Sequence, residues 1–151
     1  MKEMKKMRKF EKVSFNDLGI LPTRNDKGSA GYDLYLPCDI EILPNAFSQV
    51  ALNIKAQMEK DEVLKIYVRS SIGIKKHLML ANGTGIIDST YYNNPDNEGN
   101  IIVVLYNYGR ETVRLKKGDR IAQGVFVKYL TTEDDKPLNE ERIGGIGSSG
   151  N

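Results

Sequence analysis

Residues 83–94 combine side chains that can do chemistry on a flat, polar ligand. Gly83 and Gly85 allow the backbone to fold closely against such a ligand. Asp88 follows them, and Tyr91 comes three positions later. A carboxylate at this place could activate a water molecule, and the ring could screen a sugar. Taken alone, the segment more often indicates an ordinary β-hairpin with a polar tip.

Two other segments carry groups that suit phosphate. Arg69 precedes Ser70 and Ser71, and a guanidinium beside two hydroxyls matches phosphate oxygens. Residues 142–150 read Arg-Ile-Gly-Gly-Ile-Gly-Ser-Ser-Gly, and consecutive backbone N–H groups in such a stretch can wrap a phosphate chain. It is not a Walker loop, because no Gly-Lys-Ser/Thr follows and no helical pattern begins there. Alone, these segments are also typical of a strand end and a disordered tail.

A carboxylate and an amide complete the set of candidate site residues. Asp33 interrupts the otherwise apolar segment 30–35. Polar residues alternate along the segment 117–123. Because side chains two or four positions apart share one face of a strand, Asp119 and Gln123 are expected to face one cavity.

The metal chemistry open to this chain is limited by its single cysteine, Cys38, and its single histidine, His77. An internal disulfide and a zinc site built on these residues are thereby excluded. His77 follows two lysines and is expected to be solvated. A metal would have to be a hard ion held by oxygens, some of them from the substrate, which indicates Mg²⁺.

The composition describes one ordinary domain of 151 residues. Its 22 basic and 20 acidic residues leave a net charge of +2, which is too balanced to indicate nucleic acid or a membrane surface as a partner. No apolar run approaches the ~20 residues that cross a bilayer. The basic N-terminus has no apolar stretch behind it and does not read as a signal peptide. We therefore expect a cytoplasmic protein.

Short runs of strand-forming residues, separated by Pro or Gly, predict an all-β fold. The predicted strands are 39–42, 64–68, 101–106, 112–115 and 121–129. The run 101–106 is continuously apolar and is expected to be buried on both faces. Many short strands with turns between them indicate a sandwich, barrel or jelly roll.

The domain organisation follows from where this pattern ends. Residues 1–130 are predicted to form one β domain, of which 1–12 would be a mobile arm. The tail 131–151 loses periodicity and ends in glycines and serines, so we expect a flexible C-terminal arm.

Together and in order, five segments resemble the five motifs of the trimeric dUTPases. They are Ala-Gly-Tyr-Asp-Leu, Arg-Ser-Ser, Gly-Ile-Ile-Asp-x-x-Tyr, Gly-Asp-Arg-Ile-Ala-Gln and Gly-Gly-x-Gly-Ser-Ser-Gly. The resemblance covers residues 13–150. It implies a jelly-roll subunit with a glycine-rich C-terminal arm, and a homotrimer with three active sites at subunit interfaces. It also implies Mg²⁺-dependent cleavage of dUTP to dUMP and diphosphate by water attack at the α-phosphorus.

The resemblance also implies roles for individual residues. Asp88 would orient and activate the attacking water, and Tyr91 would pack under the deoxyribose and exclude a 2′-hydroxyl. Asp33 would hold Mg²⁺ through water, and Asp119 would be a structural partner of nearby charges. The remaining substrate contacts would come from Arg69, Ser70, Ser71, Asn82, Gly83, Gly85, Ile87, Gln123, Arg142, Ile146, Gly147, Ser148 and Ser149. The C-terminal arm, which carries Arg142, Ile146, Gly147, Ser148 and Ser149, would close over the nucleotide from a neighbouring subunit.

Two positions depart from the family pattern, and two other functions stay open. Ile146 stands where an aromatic usually stacks on uracil, and Thr90 stands where an acid is common. The first alternative is a dCTP deaminase or a bifunctional deaminase and dUTPase, which has a related fold and an Arg-Ser-Ser segment. The second is a phage-type dUTPase that acts as a regulator by binding a protein partner. The complete Asp-x-x-Tyr segment and the glycine arm argue against the deaminase.

Overall fold

The computed structural model describes residues 7–140 and 145–146. In this part of the chain the fold is nearly all β. In chain order the elements are β1 (Lys9–Lys12), β2 (Thr23–Arg24), β3 (Tyr32–Tyr35), β4 (Ile40–Ile42), β5 (Phe47–Ala51), β6 (Ile54–Gln57), β7 (Glu62–Val68), α1 (Ser70–Ile74), β8 (Leu78–Leu80), β9 (Gly85–Asp88), β10 (Ile102–Asn107), β11 (Val113–Leu115) and β12 (Arg120–Lys128).

The strands form four antiparallel sheets. The largest has the order β2-β3-β12-β7-β9, and a second has the order β5-β10-β8. Two further pairs, β1-β6 and β11-β4, complete the set. Since β3, β7, β9 and β12 are neighbours in the largest sheet but far apart in sequence, the segments that carry the candidate site residues are brought together only by the fold.

One apolar core lies between these sheets. It is built from alternate residues of the strands, as a half-buried sheet requires. Its largest fully buried side chains include Leu34, Leu36, Ile42, Leu52, Ile54, Leu64, Ile66, Leu78, Ile101, Leu105 and Ile121. Asn107 is buried among them, and its amide donates hydrogen bonds to the carbonyls of Ile42 and Glu111 at 2.9 and 2.8 Å. This polar group is tolerated because its hydrogen bonds are made within the protein.

The structure corrects three sequence-based expectations. Residues 9–12, predicted as part of a mobile arm, form β1 and pair with Ile54–Gln57. The strand β10 is not buried on both faces, because Val103, Leu105 and Asn107 are buried while the residues between them are partly exposed.

The third correction concerns residues 83–94, which do not form a hairpin. Gly85–Asp88 pairs with β7, whereas the preceding strand β8 pairs with β10 in another sheet. Successive strands here belong to different sheets. The residues after Asp88 therefore form a long loop that returns to β10, and this loop shapes the candidate site.

No helix in residues 7–140 or 145–146 has the length and apolar character needed to cross a membrane.

Candidate functional site

The predicted site residues lie in two separate pockets. The Tyr91 pocket, of about 410 Å³, is lined by Gln49, Ile66, Leu80, Ala81, Asn82, Gly85, Ile86, Ile87, Tyr91, Ile102, Val103, Val104 and Ile146. The Arg69 pocket, of about 650 Å³, is lined by Asn25, Ser29, Ala30, Gly31, Asp33, Arg69, Ser70, Ser71, Arg120 and Gln123. Both volumes suit small ligands. The first pocket is mainly apolar, and the second is polar and charged.

The carboxylate of Asp88 is oriented by the residue two positions later. The backbone N–H and the hydroxyl of Thr90 donate to Asp88 Oδ1 at 3.0 and 2.6 Å. Among the described residues, no hydrogen bond involves the other oxygen, Oδ2. The side chain is partly exposed at the end of β9. One oxygen is thus held by the protein, and the other can accept a proton from a water molecule.

The ring of Tyr91 is fixed by its hydroxyl. Only 4% of the residue is exposed. Its hydroxyl donates to the carbonyl of Asn100 at 2.7 Å and accepts from Asn97 Nδ2 at 2.9 Å. The ring therefore forms a wall of the pocket rather than a mobile cover.

Amide side chains hold the loop that follows Tyr91. Asn94 is buried; its Nδ2 donates to the Tyr91 carbonyl and to Asn97 Oδ1 at 2.8 Å each. The N–H groups of Asp96 and Asn97 donate to Asn94 Oδ1 at 3.0 and 3.2 Å. The N–H of Gly99 donates to Asn97 Oδ1. These bonds set the shape of the loop before any ligand binds.

An ion pair ties the same loop to the body of the protein. Lys55, only 8% exposed, donates to Glu98 Oε2 at 2.8 Å and to Asn93 Oδ1 at 2.6 Å. Ser14 also donates to the Glu98 carboxylate. The hydrogen bonds from Lys55 and then Ser14 lower the pKa of Glu98 to about 2. Burial, followed by a hydrogen bond to Glu11, raises the pKa of the neighbouring Tyr92 to about 12.

The Arg69 pocket is organised around one carboxylate. Arg69 Nε lies 3.2 Å from Asp33 Oδ1, and Arg120 lies 3.4 Å from Asp33 Oδ2. The Asp33 side chain is 14% exposed, and the side chains of Arg69 and Arg120 are 30% and 44% exposed. Asp33 therefore holds two cations at the pocket, where both can reach an anionic ligand.

Gln123 reaches this pocket because residue 31 is glycine. A Cβ at Gly31 would lie 2.6 Å from Gln123 Oε1, so any larger residue would displace the amide. Asp33 and Gln123 are directly opposite each other in the pairing of β3 with β12. This cross-strand pair explains why an acid and an amide far apart in sequence meet in one pocket.

A β-bulge brings Arg120, and not Asp119, to the Arg69 pocket. The register of β12 shifts between Arg120 and Ala122, and an extra residue reverses which face the preceding side chains occupy. Arg120, which was not among the residues predicted from the sequence, therefore lines the pocket with Gln123. Asp119, expected to face the same cavity, does not line it.

Asp119 also differs from its predicted role as a partner of nearby charges. Its carboxylate accepts the backbone N–H of Lys116 at 2.9 Å. This hydrogen bond closes the turn before β12, and within the described residues Asp119 forms no ion pair with a side chain. Asp119 thus positions the start of the strand that carries Arg120 and Gln123.

The two pockets lie far apart within one chain. Asp88 is opposite Val63 in the pairing of β9 with β7, whereas Arg69 follows the other end of β7. Arg69 is six positions after Val63, which corresponds to about 20 Å along an extended strand. The pockets share no lining residue. The base candidate and the phosphate-binding candidate of a single chain therefore do not face each other.

The arm lies against the Tyr91 pocket where the structure describes it. Ile146 lines that pocket but remains 71% exposed. Gly145 is buried, and its N–H donates to Asp96 Oδ2 at 2.6 Å. The predicted contacts of Arg142, Gly147, Ser148 and Ser149 lie outside the described residues. Gly83 is on the turn beside Asn82, but it does not line the pocket.

The fit of a hard cation rests on Asp33. In the described part of the chain, no three His, Cys, Asp or Glu side chains cluster closely enough to hold a metal ion by themselves. Mg²⁺ commonly binds through one or two carboxylates, waters and substrate phosphates. A carboxylate offers more acceptor sites than the two contacts with arginine occupy. Asp33 at the Arg69 pocket therefore fits contact with a hydrated ion.

A third cleft, of about 600 Å³, is lined by none of the predicted site residues. It contains His77, which was predicted to be solvated. It lies between residues 75–77 and 108–114. His77 is exposed there, as predicted, and its ring contacts Tyr108 edge to face at 5.5 Å.

Three comparisons with known proteins all find similarity to dUTPases. A family model described as dUTPase matches residues 17–150. The deoxyuridine 5′-triphosphate nucleotidohydrolase of Lactococcus lactis is 42% identical over 148 residues, which cover 96% of this chain and 99% of that protein. The crystal structure of dUTPase from Streptococcus mutans has a TM-score of 0.78 at 42% identity, covering 83% of this chain and 99% of the other.

A more distant structure shows the same fold. The dUTPase of Staphylococcus bacteriophage 80alpha has a TM-score of 0.73 at 21% identity, covering 87% of this chain and 96% of that one. The predicted jelly-roll β fold is confirmed by these structural matches. The family match spans most of the chain, and the L. lactis relative is matched over nearly its whole length. This chain therefore belongs to the dUTPase family of nucleotide hydrolases.

Proposed function

We propose that the chain hydrolyses dUTP to dUMP and diphosphate at a site that joins the Tyr91 pocket of one copy to the Arg69 pocket of another. The observation that carries this proposal is the separation of about 20 Å between Asp88 and Arg69 along β7. A base must lie within hydrogen-bond reach of its water. Two copies arranged head to tail satisfy this requirement, and a closed ring of three gives three such sites.

Asp88 is the general base in this proposal. Oδ1 is held by Thr90, so Oδ2 accepts the proton of the water that attacks the α-phosphorus. Phosphoryl transfer requires little covalent work from the protein, and positioning the water in line is the main task. A fixed carboxylate meets that need without a histidine.

The Arg69 pocket binds the triphosphate. Arg69 and Arg120 supply positive charge, while the Ser70 and Ser71 hydroxyls and the Gln123 amide supply neutral hydrogen bonds. Donors aimed at phosphate oxygens stabilise the charge that develops during transfer. Asp33 would contact Mg²⁺ through its water shell, and the ion would supply further neutralisation of the phosphate charge.

The Tyr91 pocket binds the nucleoside. Its apolar walls match the faces of a base, while Asn82 and the backbone of residues 85–87 offer hydrogen bonds to the uracil edge. The fixed ring of Tyr91 packs under the deoxyribose and leaves no room for a 2′-hydroxyl. A site built for one hydrogen-bonding edge rejects a base with a different edge by up to about 10⁴–10⁵-fold.

The arm reaches its pocket from a neighbouring copy. Support comes from the linker 130–140, in which every residue is exposed in the single chain. Leu130 and Leu138 are 95% and 98% exposed, which leaves large apolar side chains for another copy to cover. A crossing arm would make the same contacts to a neighbour's Tyr91 pocket that Gly145 and Ile146 make here.

Mixing two inactive variants tests the shared site. Asp88→Asn chains keep a complete Arg69 pocket, and Arg69→Ala chains keep a complete base. If one copy supplies each half, a random mixture regains about a quarter of the wild-type sites, because each half has about an even chance of being intact. If both halves act within one chain, no mixed assembly has a complete site. No recovery despite demonstrated exchange of subunits would refute the shared site.

The origin of the arm is tested in the same way. Asp88→Asn chains with an intact arm are mixed with wild-type chains truncated before residue 142. A crossing arm restores activity, because some sites then contain a wild-type Asp88 and a neighbour's arm. An arm that serves its own pocket restores none.

The reaction itself is tested with labelled water and two substrates. Attack at the α-phosphorus places ¹⁸O in dUMP, whereas label only in diphosphate contradicts the proposed step. The same assay with dCTP, scored for ammonia, distinguishes a dUTPase from a deaminase. Ammonia release from dCTP would favour the alternative of a dCTP deaminase or a bifunctional deaminase and dUTPase.

A further inference from the structure

Asp96 has no role in the proposed reaction, yet it forms a short hydrogen bond with the C-terminal arm. It lies in the loop after Tyr91 and is not among the residues selected from the sequence. Its carboxylate accepts the backbone N–H of Gly145, with Oδ2 and N separated by 2.6 Å. Loop and arm thus meet at a charged acceptor and a backbone donor, a combination stronger than a neutral hydrogen bond.

The loop presents this carboxylate in a fixed position. The backbone N–H of Asp96 donates to the buried Asn94 side chain at 3.0 Å. Asn94 Nδ2 in turn donates a hydrogen bond to the Tyr91 carbonyl at 2.8 Å, and Asn97 Nδ2 donates one to the Tyr91 hydroxyl at 2.9 Å. The residues that fix the Tyr91 ring therefore also fix the point at which the arm arrives.

The fit at Gly145 is close. A Cβ at this position would lie 3.3 Å from the Cβ of Asp96 and 3.5 Å from the Asn97 amide nitrogen. The first distance is shorter than an ordinary contact, so with a larger residue the arm or the loop would have to shift by a few tenths of an ångström. Glycine at position 145 lets the backbone approach until its N–H reaches the carboxylate.

The next residue shows what this contact positions. Ile146 reaches the Tyr91 pocket but is 71% exposed. A side chain that buries so little area provides little hydrophobic attraction to hold the arm in place. The hydrogen bond at Gly145 is immediately beside it, and it fixes where Ile146 lies relative to the pocket.

We propose that Asp96 is a positioning residue that docks the C-terminal arm at Gly145 and thereby places Ile146 over the nucleoside. This role rests on the proposed function, because it concerns closure of the same site. The docking contact itself is independent of the reaction. It has the same chemistry whether the arm belongs to the same copy or to a neighbour.

The first test measures docking without catalysis. Hydrogen exchange at the Gly145 amide is followed by NMR in the wild-type protein and in Asp96→Ala. Loss of a charged acceptor should speed exchange at this amide by about 10- to 100-fold. Asp17→Ala, which removes another exposed loop carboxylate, should leave it unchanged. Equal exchange in Asp96→Ala and the wild-type protein would overturn the docking contact.

The second test separates positioning from a general effect on the loop. Asp96→Ala should raise the KM for dUTP by about 10-fold while kcat falls less, because Asp88 and Thr90 are untouched. Asp96→Glu retains the charge and should recover part of the affinity. A parallel loss of the dUTP preference over UTP would indicate that Tyr91 had moved, and would overturn a specific role in docking.

The third test approaches the contact from the arm. Gly145→Ala should raise the KM in the same way, and combining it with Asp96→Ala should add little, because both changes break one contact. Fully additive effects would refute the proposal. If the Gly145 amide of the wild-type protein is protected by Asp96 but the protein does not cleave dUTP, the proposed function is contradicted. The role of Asp96 in docking the arm would still stand.

Discussion

The Tyr91 pocket and the Arg69 pocket are built on different principles. Around Tyr91, buried asparagines and the pair of Lys55 with Glu98 fix the backbone of a long loop. Around Arg69, two guanidinium groups converge on one carboxylate, and their side chains stay 30% and 44% exposed. The first region is a preformed shape, and the second is an arrangement of charges.

This difference matches what each pocket would recognise in the proposed reaction, the nucleoside in the first and the phosphates in the second. A base and a sugar are distinguished from close analogues by hydrogen bonds and by small differences in volume, so the walls must not move. Phosphate groups carry charge on several equivalent oxygens, so partly exposed cations held at one carboxylate can contact more than one of them. Variants in the first region should alter selectivity and stability, and variants in the second should alter rate and salt dependence.

The largest expected effect is the loss of kcat on replacing the proposed general base, Asp88. Asp88→Asn keeps the shape of the side chain but removes most of its basicity, so kcat should fall by about 10²–10⁴-fold. Binding of a non-hydrolysable dUTP analogue should be retained, as isothermal titration calorimetry can show. Asp17→Asn is the matched control. Turnover near that of the wild-type protein would end the assignment of Asp88.

The next effect tests the charged pocket. Arg69→Lys keeps the charge but loses the planar fork, and kcat/KM should fall by about 10- to 100-fold. Arg114→Lys is the control, because Arg114 forms an exposed ion pair with Glu41 outside both pockets. An unchanged kcat/KM in Arg69→Lys would show that only the charge matters in this pocket.

A third variant tests whether the shape around Tyr91 depends on its hydroxyl. Tyr91→Phe leaves the Asn100 carbonyl and the Asn97 amide without this partner, and the free energy of unfolding should fall by about 1–3 kcal/mol. Tyr106→Phe, whose hydroxyl lies 3.3 Å from Asn45 in an exposed pair, should change it by less than about 0.5 kcal/mol. Urea denaturation measures both.

Selectivity should respond to the ring itself. Tyr91→Phe should keep the preference for dUTP over UTP, whereas Tyr91→Ala should reduce it by opening space beside the sugar. If Tyr91→Ala leaves the ratio of the two kcat/KM values unchanged, the ribose is excluded elsewhere.

The acid stability of the loop follows from Glu98. Its pKa is lowered from 4.5 to about 2 in the folded protein. The stabilisation is therefore present above pH 4.5 and is lost as the pH falls from there towards 2. Glu98→Gln should flatten this part of the stability profile, measured by denaturation at a series of pH values. Glu41→Gln serves as the exposed control, and an unchanged slope in Glu98→Gln would show that another group unfolds the loop.

The smallest effect concerns the arm. Ile146→Phe should strengthen binding of a non-hydrolysable dUTP analogue by up to about 1 kcal/mol, the lower end of a stacking contribution. Ile146→Ala should weaken it slightly. If both variants bind like the wild-type protein, the arm does not touch the base.

The sequence by itself determined the family, the β-rich fold and five of the twelve strands in the described residues. Alternating and apolar runs located β4, β7, β11 and β12 to within one or two residues, because side-chain alternation is a local property of a strand. The order of five short segments indicated the dUTPases, and the family comparison confirms this.

The tertiary structure decided how these segments are combined. No local pattern showed that residues 85–88 pair with β7 while β8 joins another sheet. A one-residue bulge, invisible in the sequence, placed Arg120 in the Arg69 pocket and excluded Asp119. Asp96 and Gly145 are 49 residues apart in the chain. Such contacts depend on sheet pairing and loop closure over long distances, which the spacing of residues along the chain does not specify.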